Sequence, residues 1–219
     1  MFPELIVIDD PTPRPGPLNM AIDEILLGAA RPAILRFYRW NTPSVSFGYF
    51  TGFSEAYEIA GNRALVRRWT GGGIVPHGQD LTYSIMIGAQ NDAFVLPSKI
   101  IYQRVHSTLG SALREIGVVA VLAETEAPKI SDACFANPVV SDVIESGRKI
   151  AGAAQRKTRT GLLHQGSIQC GNLDKRFRNA FASLLGRRIL VGRIGTRVLH
   201  AAEELATTKY ATVEWLQRR

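Results

Sequence analysis

The stretch Arg67-Arg68-Trp69-Thr70-Gly71-Gly72-Gly73 sets two fixed positive charges beside three successive glycines. Glycines let a backbone approach a ligand closely and turn amide N–H groups toward it, and guanidinium groups suit a carboxylate or phosphate. No Gly-Lys-Ser/Thr follows, so this is not a P-loop, and Pro76 stands where a dinucleotide fingerprint needs its last glycine. A glycine-rich hairpin corner with surface arginines has the same composition. A second stretch runs from Gly147 through Arg148, Lys149, Ile150, Ala151, Gly152, Ala153 and Ala154 to Gln155. On an extended chain Lys149, Ala151 and Ala153 share one face, and the small residues leave room for a ligand beside the ammonium. A lysine facing solvent on an edge strand gives the same pattern. His77, and His164 within Leu163–Ile168, are either hydrogen-bonded structural residues or acid–base groups. Cys134 lies in a segment rich in Asp, Asn and Pro, which puts it on a loop. Near a cation its thiol is a nucleophile; buried, it is a small hydrophobe. Cys170, at a strand end before Gly171, reads as structural.

The elements that must position these residues are partly readable. Leu18, Ile22, Ile25 and Leu26 predict a helix over residues 18–31, stopped by Pro32. The longest helix signal is 98–117, with Ile101, Val105, Leu109, Ala112 and Ile116 on one side and Gly117 at the C′ position. Further helices are predicted over 54–61, capped by Ser54, over 173–185 and over 213–219. Strands are predicted over 4–9, 33–40, 44–49, 64–69, 81–88, 118–123, 139–145, 149–155 and 162–168. Strands in runs with few helices between them favour an α+β fold with a largely antiparallel sheet over a doubly wound one.

The chain of 219 residues carries 26 Lys+Arg against 19 Asp+Glu, a net charge of +7, and is 46% hydrophobic. That length and composition suit one domain with a real core rather than a disordered chain. Two cysteines build neither a disulfide framework nor a four-Cys zinc site, which fits a reduced, cytoplasmic protein. No apolar stretch reaches the length of a membrane span, and the first ten residues do not resemble a secretory signal. The positive charge suits an acidic protein or an anionic ligand. Nucleic-acid motifs, and aromatics interleaved with basic residues, are lacking, so a nucleic-acid partner is not expected.

Together the segments resemble the lipoate-protein ligase and octanoyltransferase family, whose catalytic domain is shared with biotin protein ligases. The resemblance rests on Asn19-Met20-Ala21-Ile22-Asp23-Glu24, Arg36-Phe37-Tyr38-Arg39-Trp40 with Pro43–Gly48, and Arg67-Arg68-x-Thr70-Gly71-Gly72-Gly73 with His77. It continues through Gly147–Gly152 with Ala154-Gln155, and ends at His164-Gln165-Gly166-Ser167. It implies an α+β fold with a mixed, mainly antiparallel sheet flanked by helices, forming one catalytic domain over 1–219 without a C-terminal accessory domain. It also implies attachment of an octanoyl or lipoyl chain to a lysine of a lipoyl carrier domain. By resemblance, Gly71 to Gly73 line an acyl tunnel and Lys149 contacts the acyl carbonyl or the activated phosphate. The substrate-binding set is Arg67, Arg68, Thr70, Gly71, Gly72, Gly73, His77, Gly152, Ala153, Gln155, His164 and Gly166.

Two chemistries run on such a scaffold. Ligases activate a free acid with ATP and Mg2+ to an acyl-adenylate. Transferases take the acyl group from an acyl carrier protein thioester and need no cofactor. Cys134, in an Ala-Cys-Phe context ahead of Gly-Arg-Lys, matches a cysteine-dependent transferase branch. The leading expectation is therefore transfer through Cys134, with Lys149 stabilising the oxyanion, onto a lipoyl domain or a glycine cleavage H-type protein. The alternative is an ATP-dependent ligase in which Arg67, Arg68 and Lys149 hold the adenylate. The residues do not assign a general base between His77 and His164.

Overall fold

The computed structural model describes residues 1–125, 137–171 and 173–218. The backbone forms strand β1 (Phe2–Asp9), helix α1 (Gly16–Ala29), β2 (Ala33–Tyr38), β3 (Ser44–Phe47), α2 (Phe53–Ala60), β4 (Ala64–Arg67), β5 (Ile74–His77) and β6 (Leu81–Gly88). It continues with α3 (Ser98–Glu115), β7 (Val121–Leu122), β8 (Val143–Glu145), β9 (Arg148–Lys157), β10 (Gly161–Ile168), α4 (Lys175–Leu185), β11 (Gly186–Val191), α5 (Thr196–Leu205) and α6 (Val213–Leu216).

The large sheet has eight strands in the order β11-β1-β2-β6-β10-β9-β8-β7. Only β1 pairs in parallel, with β11 and β2; the other ladders of this sheet are antiparallel. A small sheet, β4-β3-β5, stands beside it. Helices cover both faces of the large sheet. Ile101, Val105 and Leu109 of α3, and Phe177 and Phe181 of α4, pack on Tyr83, Ile85 and Ile87. On the other face Ile22 and Leu26 of α1, with Ala202 of α5, pack on Ile34, Met86 and Leu163. Doubly covered, β6 and β10 are buried at every residue, so their sequences read as nearly continuous apolar runs.

Several boundaries differ from those predicted. Helix α2 begins at Phe53 with Gly52 as N-cap, so Ser54 lies inside its first turn. Helix α3 ends as predicted by its glycine: Gly117 has φ +89°. Its N–H donates to Arg114 O (3.0 Å) and that of Val118 to Leu113 O (3.1 Å), the bond pair of a Schellman end. Strand β7 is only two residues long. Strands β5 and β11 and helix α5 were not predicted.

Candidate acyl pocket

The pocket begins with buried charge beneath its floor. Arg36, fully buried on β2, pairs with Asp10 (2.8 Å) and Asp23 (2.9 Å) and donates to Asn19 Oδ1 (2.8 Å). Asp23 in turn accepts from Tyr38 Oη (3.3 Å), Ser84 Oγ (2.5 Å) and Gln165 Nε2 (2.8 Å). A buried charge left without partners is costly, so the network locks α1 onto the sheet. This explains why Asn19, Asp23 and Arg36 stand out in sequence while none of them lines the pocket. Met20, Tyr38 and Gln165, held by the same network, do line it.

The pocket spans about 420 Å³ of atom-free space, part of it open to solvent. Its walls come from β3 and β5 (Ser46, Val75, His77), from β9 (Gly152, Ala153, Ala154), from β10 (Gln165, Gly166, Ser167), and from Trp40, Arg68 and Thr82. Gly166 admits the ring of Tyr83, since a Cβ there would lie 2.4 Å from Cε1.

On one wall, His77 stacks on Trp40 with ring centroids 4.0 Å apart. Its Nδ1 lies 2.7 Å from Asp80 Oδ2 and its Nε2 lies 2.6 Å from Ser46 Oγ. Arg68 Nη1 donates to the same Ser46 oxygen (2.7 Å). Arginine is only a donor, so the Ser46 hydroxyl proton is directed at Nε2, and Nδ1–H at Asp80. Asp80 also accepts from Gly78 N–H, Thr82 Oγ1 and Ser167 Oγ. Against the cost of burial, His77 and these hydrogen bonds hold its carboxyl at a pKa of about 2. Burial keeps His77 below its ordinary value despite Asp80, so near neutrality the ring is uncharged and Nε2 is an acceptor. Aspartate, imidazole and hydroxyl thus line up on the pocket wall.

The ammonium of Lys149 lies against Gly152 of the pocket wall. It is 2.7 Å from Asp142 Oδ2, and both side chains are almost fully buried. Asp142 is fixed in turn by Tyr102 Oη (2.5 Å) and Val139 N–H (2.8 Å). Strict alternation would have placed Lys149 with Ala151 and Ala153. Instead the register with β8 slips by one residue, from Val143↔Ala151 to Ile144↔Lys149. The extra residue sends both Ile150 and Ala151 into the core under α3 and turns Lys149 toward Gly152. A Cβ on Gly152 would lie 2.4 Å from Lys149 Cε and 2.7 Å from Nζ. Gly152 is therefore the space the lysine occupies.

Other residues singled out in the sequence fall elsewhere. Arg67 points away from the pocket; its guanidinium donates to the carbonyls of Gly48, Tyr49, Thr51, Leu216 and Arg218. It clamps the chain end against β4 and does not line the ligand space. The triple-glycine loop offers carbonyls where amide N–H groups were expected: Gly71 O and Gly73 O accept from Arg68, and Gly72 O from Thr51 Oγ1. Gly72, at φ +81°, sits over Ala154, which leaves the glycines behind the wall rather than in it. Thr70 braces Gln165 through a 2.8 Å bond.

His164 and Gln165 are neighbours on β10 and so face opposite sides of the sheet. His164 lies on the far side, paired with Tyr83 Oη and Gln155 Nε2, and burial, then His106, depress its pKa. Neither His164 nor Gln155 reaches the pocket. Cys134 lies outside the described residues. Cys170 is half-buried, and burial and Glu145 push its thiol up to about 11, which suits a structural residue better than a nucleophile. Ser46, Asp80 and Asp142 were not singled out. Their partners are His77, 31 positions from Ser46 and three from Asp80, and Lys149, and such pairings have no local signature. Among the described residues no group of three or more His, Cys, Asp or Glu could hold a metal ion, and no helix is long and apolar enough to cross a membrane.

Comparison with known proteins gives this geometry a family. Octanoyltransferase LipM of Oceanobacillus iheyensis is 36% identical over 166 residues, covering 72% of this chain and 61% of the relative. That of Symbiobacterium thermophilum is 38% identical over 172 residues, covering 71% and 61%. The chain thus spans about 61% of the length of these two relatives. That of Moorella thermoacetica aligns over 255 positions at 28% identity, covering 92% and 93%. Among solved structures, lipoate-protein ligase A bound with ATP superposes with a TM-score of 0.76 at 22% identity, covering 99% of both chains. A putative lipoate protein ligase from T. acidophilum with bound lipoic acid gives 0.77 at 23% identity, covering 99% of this chain and 100% of the other. These two likenesses establish the fold: a mixed, mainly antiparallel sheet flanked by helices. The model of the lipoyl protein ligase A/B catalytic domain matches residues 15–188, and to that family the chain belongs.

Proposed function

We infer that the protein is an octanoyltransferase, moving an eight-carbon acyl group from an acyl carrier protein thioester to a lysine of a lipoyl domain. The observation that supports this reading most is a pocket with apolar Met20, Val75 and Trp40 in its lining, whose Gly152 abuts the buried Lys149 ammonium. Burying a fatty chain is worth about 0.8 kcal/mol per methylene, which binds the chain without any charge of its own. The relatives named octanoyltransferase LipM support the same reading.

In the mechanism, the Cys134 thiolate attacks the thioester carbonyl. The carbonyl oxygen gains charge, which Lys149 stabilises. The donor C–S bond breaks, and the carrier thiol leaves with a proton. The acceptor amine then attacks the Cys134 thioester, the second C–S bond breaks, and an amide forms. The amine proton passes through the Ser46 hydroxyl to His77 Nε2, with Asp80 holding the ring in the accepting tautomer. No nucleotide enters, because thioester exchange is nearly balanced and amide formation is downhill. An adenylate clamp of Arg67, Arg68 and Lys149 is disfavoured, since the guanidinium of Arg67 is spent on main-chain carbonyls.

The test is a transfer assay on one purified lipoyl domain, with octanoyl carrier protein as donor or with octanoate plus ATP and Mg2+. Transfer from the carrier without ATP, abolished by Cys134→Ala, is expected. Modification that requires ATP and survives Cys134→Ala would establish the ligase chemistry instead.

A further inference from the structure

Outside the acyl pocket lies a larger groove with about 1890 Å³ of atom-free space. The two cavities share Trp40 and His77 as lining, so the groove begins where the pocket ends. Arg39, Arg63 and Arg148 stand along it. Among the described residues none of the three has a carboxylate within ion-pair distance. The one carboxylate in its lining, Asp80, is already consumed by His77, Gly78, Thr82 and Ser167. The positive excess is local: the depression beside β1 and β11 mixes Arg14 and Arg193 with Asp9 and Asp10.

The strand geometry explains how the two cavities divide the work. Lys149 is buried at the pocket, whereas its neighbour Arg148 is exposed in the groove. An acyl carbonyl held at the ammonium therefore leaves the rest of its donor to emerge past the guanidinium. Between the arginines the lining includes Asn41, Gln79 and Gln169, which are amide side chains that pair with amide groups of a ligand.

We propose that this groove binds the pantetheine arm of the acyl donor, with Arg39, Arg63 and Arg148 gripping its phosphate. The arm is a chain of neutral amides ending in a phosphodiester, and the groove is lined by both amide side chains and arginines. Arginine matches phosphate oxygens in both charge and fork geometry. This inference rests on the transferase reading and adds the recognition of the donor.

The experiment compares octanoyl-pantetheine with octanoyl-4′-phosphopantetheine as donors to a lipoyl domain. Wild type is expected to use the phosphorylated donor with roughly tenfold or greater advantage in kcat/KM, the scale of one charge-assisted hydrogen bond. Arg39→Ala combined with Arg63→Ala should remove most of that advantage and leave octanoyl-pantetheine unchanged. Arg63→Glu, on an exposed turn that carries no packing, should do the same. Equal use of both donors by wild type, or equal loss on both in the variants, overturns the site while leaving transfer intact. Variants that instead raise the KM for ATP in an octanoate-plus-ATP reaction would reassign the arginines to nucleotide phosphates and also overturn it. Failure of wild type to transfer from either donor refutes the transferase reading, and the site falls with it.

Discussion

At the scale of single residues, the site depends on where one ammonium group sits. Asp142 holds Lys149 from one side, and the missing side chain of Gly152 makes room for it. The atoms a new Cβ would meet are the far end of Lys149 and, at 3.2 Å, Asp142 Oδ1, so the lysine yields only by straining its buried ion pair. Gly152→Ala should therefore still fold, with a lowered thermal midpoint, and displace the ammonium. Displacements of about 1 Å at a reacting centre cost on the order of 100-fold. The expected result is a comparable fall in kcat with little change in KM for the donor, read by steady-state transfer. Loss of the fold, or full activity, would each contradict the account. Gly152 was legible in sequence as one of several small residues after a lysine, but its role was not, because that role depends on a register slip that strict alternation cannot reveal.

At the scale of elements, α3 is tied to the turn that carries Asp142 by Tyr102, which donates to Asp142 itself, and by His106. His106 Nδ1–H donates to Ser141 O at 2.7 Å, and Ser141 itself is held at φ +72°. Burial lowers the His106 pKa to about 4, and among the described residues its buried Nε2 has no hydrogen-bond partner. The unfolded chain binds this proton near its ordinary value, about 6.5, and the folded protein only near 4. Stability from this group is therefore complete above about pH 6.5 and declines as pH falls toward 4. The full effect is on the order of 3 kcal/mol. Urea unfolding at several pH values should show that decline, and His106→Asn should flatten it. A second prediction concerns α1, which brings Met20 to the pocket. Met20→Ala should shift the preferred donor toward longer acyl chains, with kcat/KM compared across a homologous thioester series. An unshifted optimum would place the chain terminus elsewhere. Helices α1 and α3 were legible because their apolar faces keep helical spacing over several turns. Strand β5 was hidden by Pro76, which is tolerated because β5 is an edge strand of the small sheet. Strand β11 was hidden because, as an exposed edge strand, it lacks an alternating buried face.

At the scale of the whole molecule, the pocket lies between the large and small sheets and draws on six separate strands together with α1. The sheet order sets His77 beside Ser46 although 31 positions separate them along the chain. That juxtaposition is long-range, so the residue types were legible and their partnership was not. Arg67 shows the converse: read as a ligand-binding cation beside a glycine loop, it serves as the clamp that fastens the chain end to β4. The proposed function requires acyl transfer to the Cys134 sulfur. Peptide mass mapping after mixing the protein with octanoylated carrier and no acceptor tests this most directly. An octanoyl thioester on Cys134 that persists in Cys170→Ala and is absent from Cys134→Ala is the predicted result. An unmodified Cys134 in a protein that still octanoylates its acceptor would contradict it.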